Sequence, residues 1–266
     1  PPRSTLFPYT TLFRSKKIGI PKQYFVNGND PEVSRACGKS IEALKKAGAK
    51  ACEISLPHTE YALAVYSLIA TAEASANLAR YDGIHYGYRT NEKRVLSKIK
   101  KRSEKKGTEG KALGNDPGLL EELYSFSRAE GLGPEVKRRI LLGTYALSTG
   151  YYDAYYLKAL KVRTRVQQEI DLALQSVDVL VTPTSPIAAF KLGEKTMDPL
   201  SMYLCDVFTV TFSLSGNPAI SVPCGLTHDG MPIGFQIVGR RFEEETVLRF
   251  ASAHERYVPP IGMPVL

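Results

Sequence analysis

Apolar positions along the chain fall into blocks whose period shifts between two and about 3.6 residues, and each shift marks an element. Lys17 to Pro21 reads as a short strand, after which Asn29-Asp30-Pro31 caps a helix carrying Val33, Cys37, Ile41 and Leu44 on one face. Gly48 ends that helix, and Ala51 to Leu56 reads as a second strand, so the unit suits a parallel crossover. Tyr61 to Tyr81 is rich in alanine without an internal breaker and predicts a long buried helix that stops at Asp82-Gly83. Gly131-Leu132-Gly133-Pro134 opens another helix, with Glu135 at the positive end of its dipole. Val136, Ile140, Leu141, Tyr145 and Leu147 recur near helical spacing and predict that this helix is mostly buried.

Tyr151 to Gln175 predicts a further long helix with Tyr155, Leu157, Leu160, Val166 and Ile170 inward. Asp178 to Thr182 is almost wholly apolar and ends at a proline, as the middle strand of a sheet covered on both faces does. Ala219 to Pro223 and Pro232 to Gly239, separated by the turn signal His228-Asp229-Gly230, read as a hairpin. A last helix spans Glu243 to Tyr257 with Val247, Leu248, Ala251 and His254 inward. Crossover and hairpin together predict an α/β fold, a three-layer α/β/α sandwich with a mixed central sheet.

Composition narrows the class. At 266 residues and 43% hydrophobic content the chain is long enough to bury a core, and no run reaches the roughly 18 apolar residues of a membrane span. Cys37, Cys52, Cys205 and Cys224 show no CxxC spacing, and with four scattered histidines they form no metal-ligand pattern. They read as reduced, buried thiols of a cytoplasmic protein. The formal charge of +8 is concentrated between Asn91 and Lys111, where nine basic residues face Glu92, Glu104 and Glu109. So few apolar residues there predict a solvated loop or frayed helix, a basic flexible insertion at about 91–115. Contact with nucleic-acid phosphates is the alternative reading.

Arg138 and Arg139 lie beside the apolar face of the helix after Pro134. A surface pair needs nothing, whereas an inward arginine needs a carboxylate or phosphate partner. The run SRAEGLGPEVKRRILLGTYALSTGYYDAYY from Ser127 to Tyr156 bears on that choice, together with Ala76–Arg89, Lys161-Val-Arg-Thr164 and Gly216–Gly225. These segments resemble the A subunits of glutamyl-tRNA(Gln)/aspartyl-tRNA(Asn) amidotransferases within the amidase signature family, and the likeness runs from Lys16 to about Tyr257. The resemblance implies an α/β/α sandwich and a serine nucleophile activated through a second serine, on a cis peptide, by lysine.

Matched residue by residue, it implies that Arg139 grips the α-carboxylate of glutamine, that Asp206 reads its α-ammonium and that Tyr66 lies near its amide. His85 stands where the family commonly has arginine or lysine, which removes a permanent charge. Arg80 and Asp82 are expected to serve as ion-pair or capping partners around the turn. Ammonia would pass to a partner B subunit that uses ATP and Mg²⁺ to amidate glutamyl-tRNA(Gln), in an assembly with a C subunit. No metal and no membrane contact is implied for this chain.

The glycine- and serine-rich catalytic signature is absent from the sequence, and Ser185, Ser213 and Ser215 read as turn or helix-end residues. No catalytic residue is therefore assigned, and the chain as it stands is expected to be inactive. Thr5 to Ser15 reads as the translation of a sequencing-library adapter, so residues 1–15 are set aside as a non-native leader. Residues 16–266 then read as the C-terminal part of a single amidase signature domain, with an exposed sheet edge that favours aggregation. A stand-alone amidase and a non-catalytic binding or assembly module are the other two readings.

Overall fold

The computed structural model describes residues 16–105, 117–258 and 261–262. In chain order the elements are β1 (Lys17–Pro21), α1 (Pro31–Lys46), β2 (Lys50–Ile54), α2 (Ala62–Leu78), α3 (Glu92–Lys105), α4 (Pro117–Gly131) and α5 (Pro134–Ala146). A π-helical turn, Tyr152–Leu157, leads into α6 (Lys158–Ser176). Then follow β3 (Val179–Pro183), α7 (Pro199–Leu204), α8 (Val210–Ser215), β4 (Ala219–Leu226), β5 (Pro232–Val238) and α9 (Glu244–Tyr257). The chain divides into two compact units, one within Pro1–Tyr66 and Ala159–Leu266, the other Ser67–Lys158.

The first unit is built on a mixed sheet of order β2-β1-β3-β5-β4. β1 runs parallel to β2 and β3, and β5 runs antiparallel to β3 and β4. Every residue of β3 is buried. Its side chains alternate between the two faces, as strand geometry requires. Val179 and Val181 join Val33 and Cys37 of α1 and Phe250 of α9 on one side. Leu180 joins Ile170 and Leu174 of α6 and Phe212 of α8 on the other. Each fully buried aliphatic side chain contributes roughly 1.5–3 kcal/mol.

The α1 face is the expected one: Val33, Cys37, Ile41 and Leu44 are all buried, and the Asp30 side chain caps the helix by accepting from the Glu32 N–H at 2.7 Å. Of the four cysteines, all without disulfides, Cys37 and Cys224 are buried and Cys52 and Cys205 partly so. Its neighbour Cys224 first, and then burial in the core, push the Cys37 thiol up. At the outer end of the sheet β4 pairs, among the described residues, with β5 alone, and a bulge interrupts that ladder between Pro223 and Gly225. His254 of α9 is buried, stacks on Phe235 at 5.2 Å and holds Ser40 at 3.1 Å through Nε2.

In the second unit α3 packs on α4, with Val95 and Leu123 buried. The basic segment through Lys105 is therefore a regular helix, and the Lys98 ammonium lies 3.9 Å from the Phe126 ring centre. The rest of the expected insertion, 106–115, and the leader 1–15 lie outside the described residues.

Three burial expectations are corrected. α2 buries one face, Ala62, Val65, Ile69 and Ala72, while its other positions are partly or fully exposed. α5 is mostly exposed, with Leu141 at 70% and Tyr145 at 53%, and only its Gly143 and Ala146 are buried. The contact explains this: a Cβ on Gly143 would lie 1.9 Å from the Thr71 carbonyl oxygen, so α2 and α5 meet backbone to backbone. The large apolar side chains on α5 have no part in that crossing. Tyr155 and Leu248, expected inward, are exposed as well.

Two measurements check this picture. Gly143→Ala should destabilise by about 2 kcal/mol or more, because the new methyl meets backbone. Gly38→Ala, in the interior of α1 with nothing within 4 Å of the added Cβ, should stabilise by about 0.5–1 kcal/mol, and urea titration of both reads the opposite signs. Burial lowers the His254 pKa from 6.5 to about 4, so the unfolded chain takes up a proton that the fold excludes. Stability should be whole above pH 6.5, fall by up to about 1.4 kcal/mol per unit toward pH 4 and then level off. His254→Leu should flatten that slope.

Candidate functional site

Asp206 sits in the turn between α7 and α8, two helices of six residues each. Such short helices do not hold themselves, so their caps and underlying contacts decide where the turn lies. The Asp198 side chain caps α7 by accepting from Leu200 and Ser201. The Asp206 carbonyl closes the turn, accepting from Thr209 and Val210 N–H at 3.0 and 3.1 Å. Asp206 itself is exposed. At the far end of α8 the Arg163 guanidinium and the Gln167 amide hold the Leu214 and Ser215 carbonyls at 2.8 and 3.1 Å. The Lys161-Val-Arg-Thr164 segment thus has a structural task, since a cation suits a helix C-terminus.

Near the end of β3, Thr182 and Thr184 share a sheet face with Gly234 and Gln236 of β5, because alternate strand residues point the same way. Thr184 Oγ1 and Ser221 Oγ hydrogen-bond at 2.6 Å. They belong to the wall of a cleft of about 460 Å³ that also includes Val33, Phe190, Pro223 and Ile233. The cleft opens at the carboxyl end of β3, where open α/β sheets place their ligand crevices. Asp206 and Tyr66 are not among its walls.

Tyr66 lies on α2, partly buried. Arg139 belongs to the second unit, on α5, where Glu135 in the first turn is shared by two guanidiniums. Arg138 forks onto both its oxygens at 2.9 and 2.8 Å, and Arg139 Nε reaches Oε1 at 2.8 Å. Arg139 and then Arg138 hold the Glu135 carboxyl below its usual range. Arg139 is half-exposed and shares the Glu135 carboxylate with Arg138. Beyond α5 the tyrosine run forms a half-exposed ladder, with Tyr145 against Tyr151 at 4.5 Å and Tyr151 against Tyr155 at 5.8 Å between ring centres.

Asp82, expected to cap, does so. One oxygen accepts from the Ile84 and His85 N–H groups at 2.8 Å each, and the other meets His85 Nδ1 at 2.7 Å. The His85 ring first, then the two backbone N–H groups, hold the Asp82 carboxyl well below the usual carboxylate range. Glu130 of α4 fastens the next stretch, taking Thr90 at 2.8 Å, Tyr88 at 3.2 Å and Arg94 at 3.0 Å. Sequence reasoning missed Glu130, whose partners lie about 40 positions away.

The three serines are engaged with backbone. Ser213 and Ser215 donate to the Thr209 and Phe212 carbonyls, and Ser185 accepts from the Ile187 N–H. Among the described residues no group of three or more His, Cys, Asp or Glu could hold a metal ion, and no helix is long and apolar enough to cross a membrane.

A mixed five-strand sheet clad by α1 and α9 on one face and α6 and α8 on the other defines an α/β protein whose crevice lies at a strand end. The chain belongs to the amidase family, which matches residues 8–248. It is 54% identical over 242 residues to the A subunit of glutamyl-tRNA(Gln) amidotransferase from Koribacter versatilis (strain Ellin345), covering 91% of this chain and 45% of that protein. The protein of the same name from Geobacter sp. (strain M21) is 52% identical over 243 residues, with the same coverage. The chain thus spans about half the length of the curated relatives it matches. Among solved structures, the A subunit of glutamyl-tRNA(Gln) amidotransferase from Thermotoga maritima matches at 32% identity with a TM-score of 0.64, over 94% of this chain and 45% of that one. A solved amidase at 24% identity and TM-score 0.65, over 92% of this chain and 46% of that one, shares the fold.

The Asp82 turn gives a direct check. Asp82→Ala should speed exchange of the Ile84 and His85 amides about tenfold or more and leave β3 unchanged. In the unsubstituted chain that protection should hold from pH 7 to 5 and fade only as pH drops below about 4, since a depressed carboxyl gives up its contribution on protonation.

Proposed function

We propose that this chain is the glutamine-recognising part of the A subunit of a glutamyl-tRNA(Gln) amidotransferase, a cytoplasmic enzyme that hydrolyses glutamine and uses the ammonia to amidate misacylated glutamyl-tRNA(Gln). The observation that carries the reading is the 54% identity, over 91% of the chain, to a relative that bears that name. In this reading the Arg139 fork takes the α-carboxylate and Asp206 the α-ammonium, while Tyr66 lies along the side-chain amide. Two opposite charges then recognise a free amino acid and leave its amide open to attack.

Ser185, Ser213 and Ser215 are each engaged with backbone, which supports a division of labour: this chain's residues bind and orient, and the nucleophile comes from elsewhere in the enzyme. Alone, the chain would hydrolyse no glutamine. ATP and Mg²⁺ would act in a partner B subunit, with a C subunit completing the heterotrimer. The mostly exposed α5, with Leu141 and Leu142 open to solvent, accords with a chain that works inside a larger assembly.

In the assembled amidotransferase, Arg139→Ala should cost glutamine-dependent amidation about 2–4 kcal/mol in transition-state stabilisation, read as a loss in kcat/KM. Arg139→Lys should recover only part, because an ammonium does not reproduce the planar fork. Amidation fed with free ammonia should proceed nearly unchanged in both variants. Equal loss by the two routes would instead assign Arg139 to folding or assembly.

A further inference from the structure

Gln236 is a polar residue inside a strand that is otherwise apolar, and its amide makes two specific contacts. It lies on β5 directly opposite Thr182 of β3 and is 4% exposed. Its Nε2 donates to Thr182 Oγ1 at 2.9 Å and to the Phe208 carbonyl at 3.2 Å. A buried amide N–H left without a partner costs about 1–3 kcal/mol, so both contacts are held tightly once the core closes. Phe208 is two residues beyond Asp206, in the same turn between α7 and α8.

The Phe208 ring is itself buried and packs against Tyr24 at 5.0 Å, and Tyr24 stacks on Phe212 of α8 at 5.7 Å. The carbonyl of Phe208 is thus fixed to the sheet by one amide, and its side chain is fixed by an aromatic stack. The other end of α8 is held by Arg163 and Gln167 from α6. The turn bearing Asp206 therefore has no register of its own. The Gln236 amide is the sheet's direct hydrogen bond to that turn's backbone at Phe208.

We propose that Gln236 is a positioning residue for specificity: by holding the Phe208 carbonyl it places the Asp206 carboxylate where an α-ammonium group is read. This rests on the reading of Asp206 given above. It extends that reading to a residue that touches no substrate, sits 30 positions away in sequence and acts through the backbone. Gln236→Met keeps the length and the apolar fit while removing both donors, so it tests the hydrogen bonds rather than the packing.

In this chain, Gln236→Met should speed exchange of the Thr209 and Val210 amides, which donate to the Asp206 carbonyl, about tenfold, with the Val181 and Ile237 amides unchanged. In the assembled amidotransferase it should raise KM for glutamine about tenfold, with kcat/KM for 4-carbamoylbutanoate within about twofold. That compound keeps the amide and the carboxylate and lacks only the α-ammonium. Equal losses on both compounds, or unaltered exchange at Thr209 and Val210, would overturn the proposal. Asp206→Asn separates it from the reading beneath it: if that change leaves the ratio of the two compounds' kcat/KM as it was, the ammonium assignment fails, whatever Gln236→Met does to exchange.

Discussion

Strand β3 has no face in contact with water, and the first unit is arranged around that requirement. A five-residue strand buried on both sides needs two separate helical layers, one supplied by α1 and α9 and one by α6 and α8. Parallel pairing to β1 on one edge and antiparallel pairing to β5 on the other then follow from how the chain returns to it. The apolar run ends at Thr182 and Pro183, and the polar side chains begin there. Thr182 serves Gln236, Thr184 serves Ser221, and the crevice opens just beyond. The same strand is thus the driest part of the core and the foundation of its most polar seam.

The second unit is held by a different physics. Two of its helices meet where side chains are missing: α2 and α5 cross at Gly143, close enough for backbone contact. Its connecting segment is organised by carboxylates that gather backbone and side-chain donors, Asp82 around one turn and Glu130 around the next. Aromatic rings are plentiful but stay at the surface, stacked on one another along the π-helical turn. A unit with so little apolar burial depends on geometry at a few points, so small changes at Gly143 or Asp82 reach far.

Hydrophobic period was enough to place α1, β3, the β4–β5 hairpin and α9, since in each the apolar side chains themselves make the contact. It misassigned α5 for a physical reason. Val136, Ile140 and Tyr145 trace a face, yet the packing surface is a glycine and an alanine, and a periodicity of side chains does not register their absence. The helical form of 92–105 was obscured by its charge, because among its described side chains only Val95 is buried. Arg139, Asp206 and Tyr66 were legible only through family resemblance, as each is unremarkable in its own window. Gln236 and Glu130 gave no local sign at all, because what they do depends on partners between 28 and 54 positions away.

The bulge in β4 limits what can be added to the sheet. A second strand laid along its outer side would keep an even ladder over Ala219–Val222, four residues, before meeting Pro223, which offers no N–H, and then the displaced register at Gly225. Pairing of that length does not hold two segments together unaided. On this edge an arbitrary extended peptide gains only that short, interrupted ladder. Only a strand that arrives with packing of its own can stay.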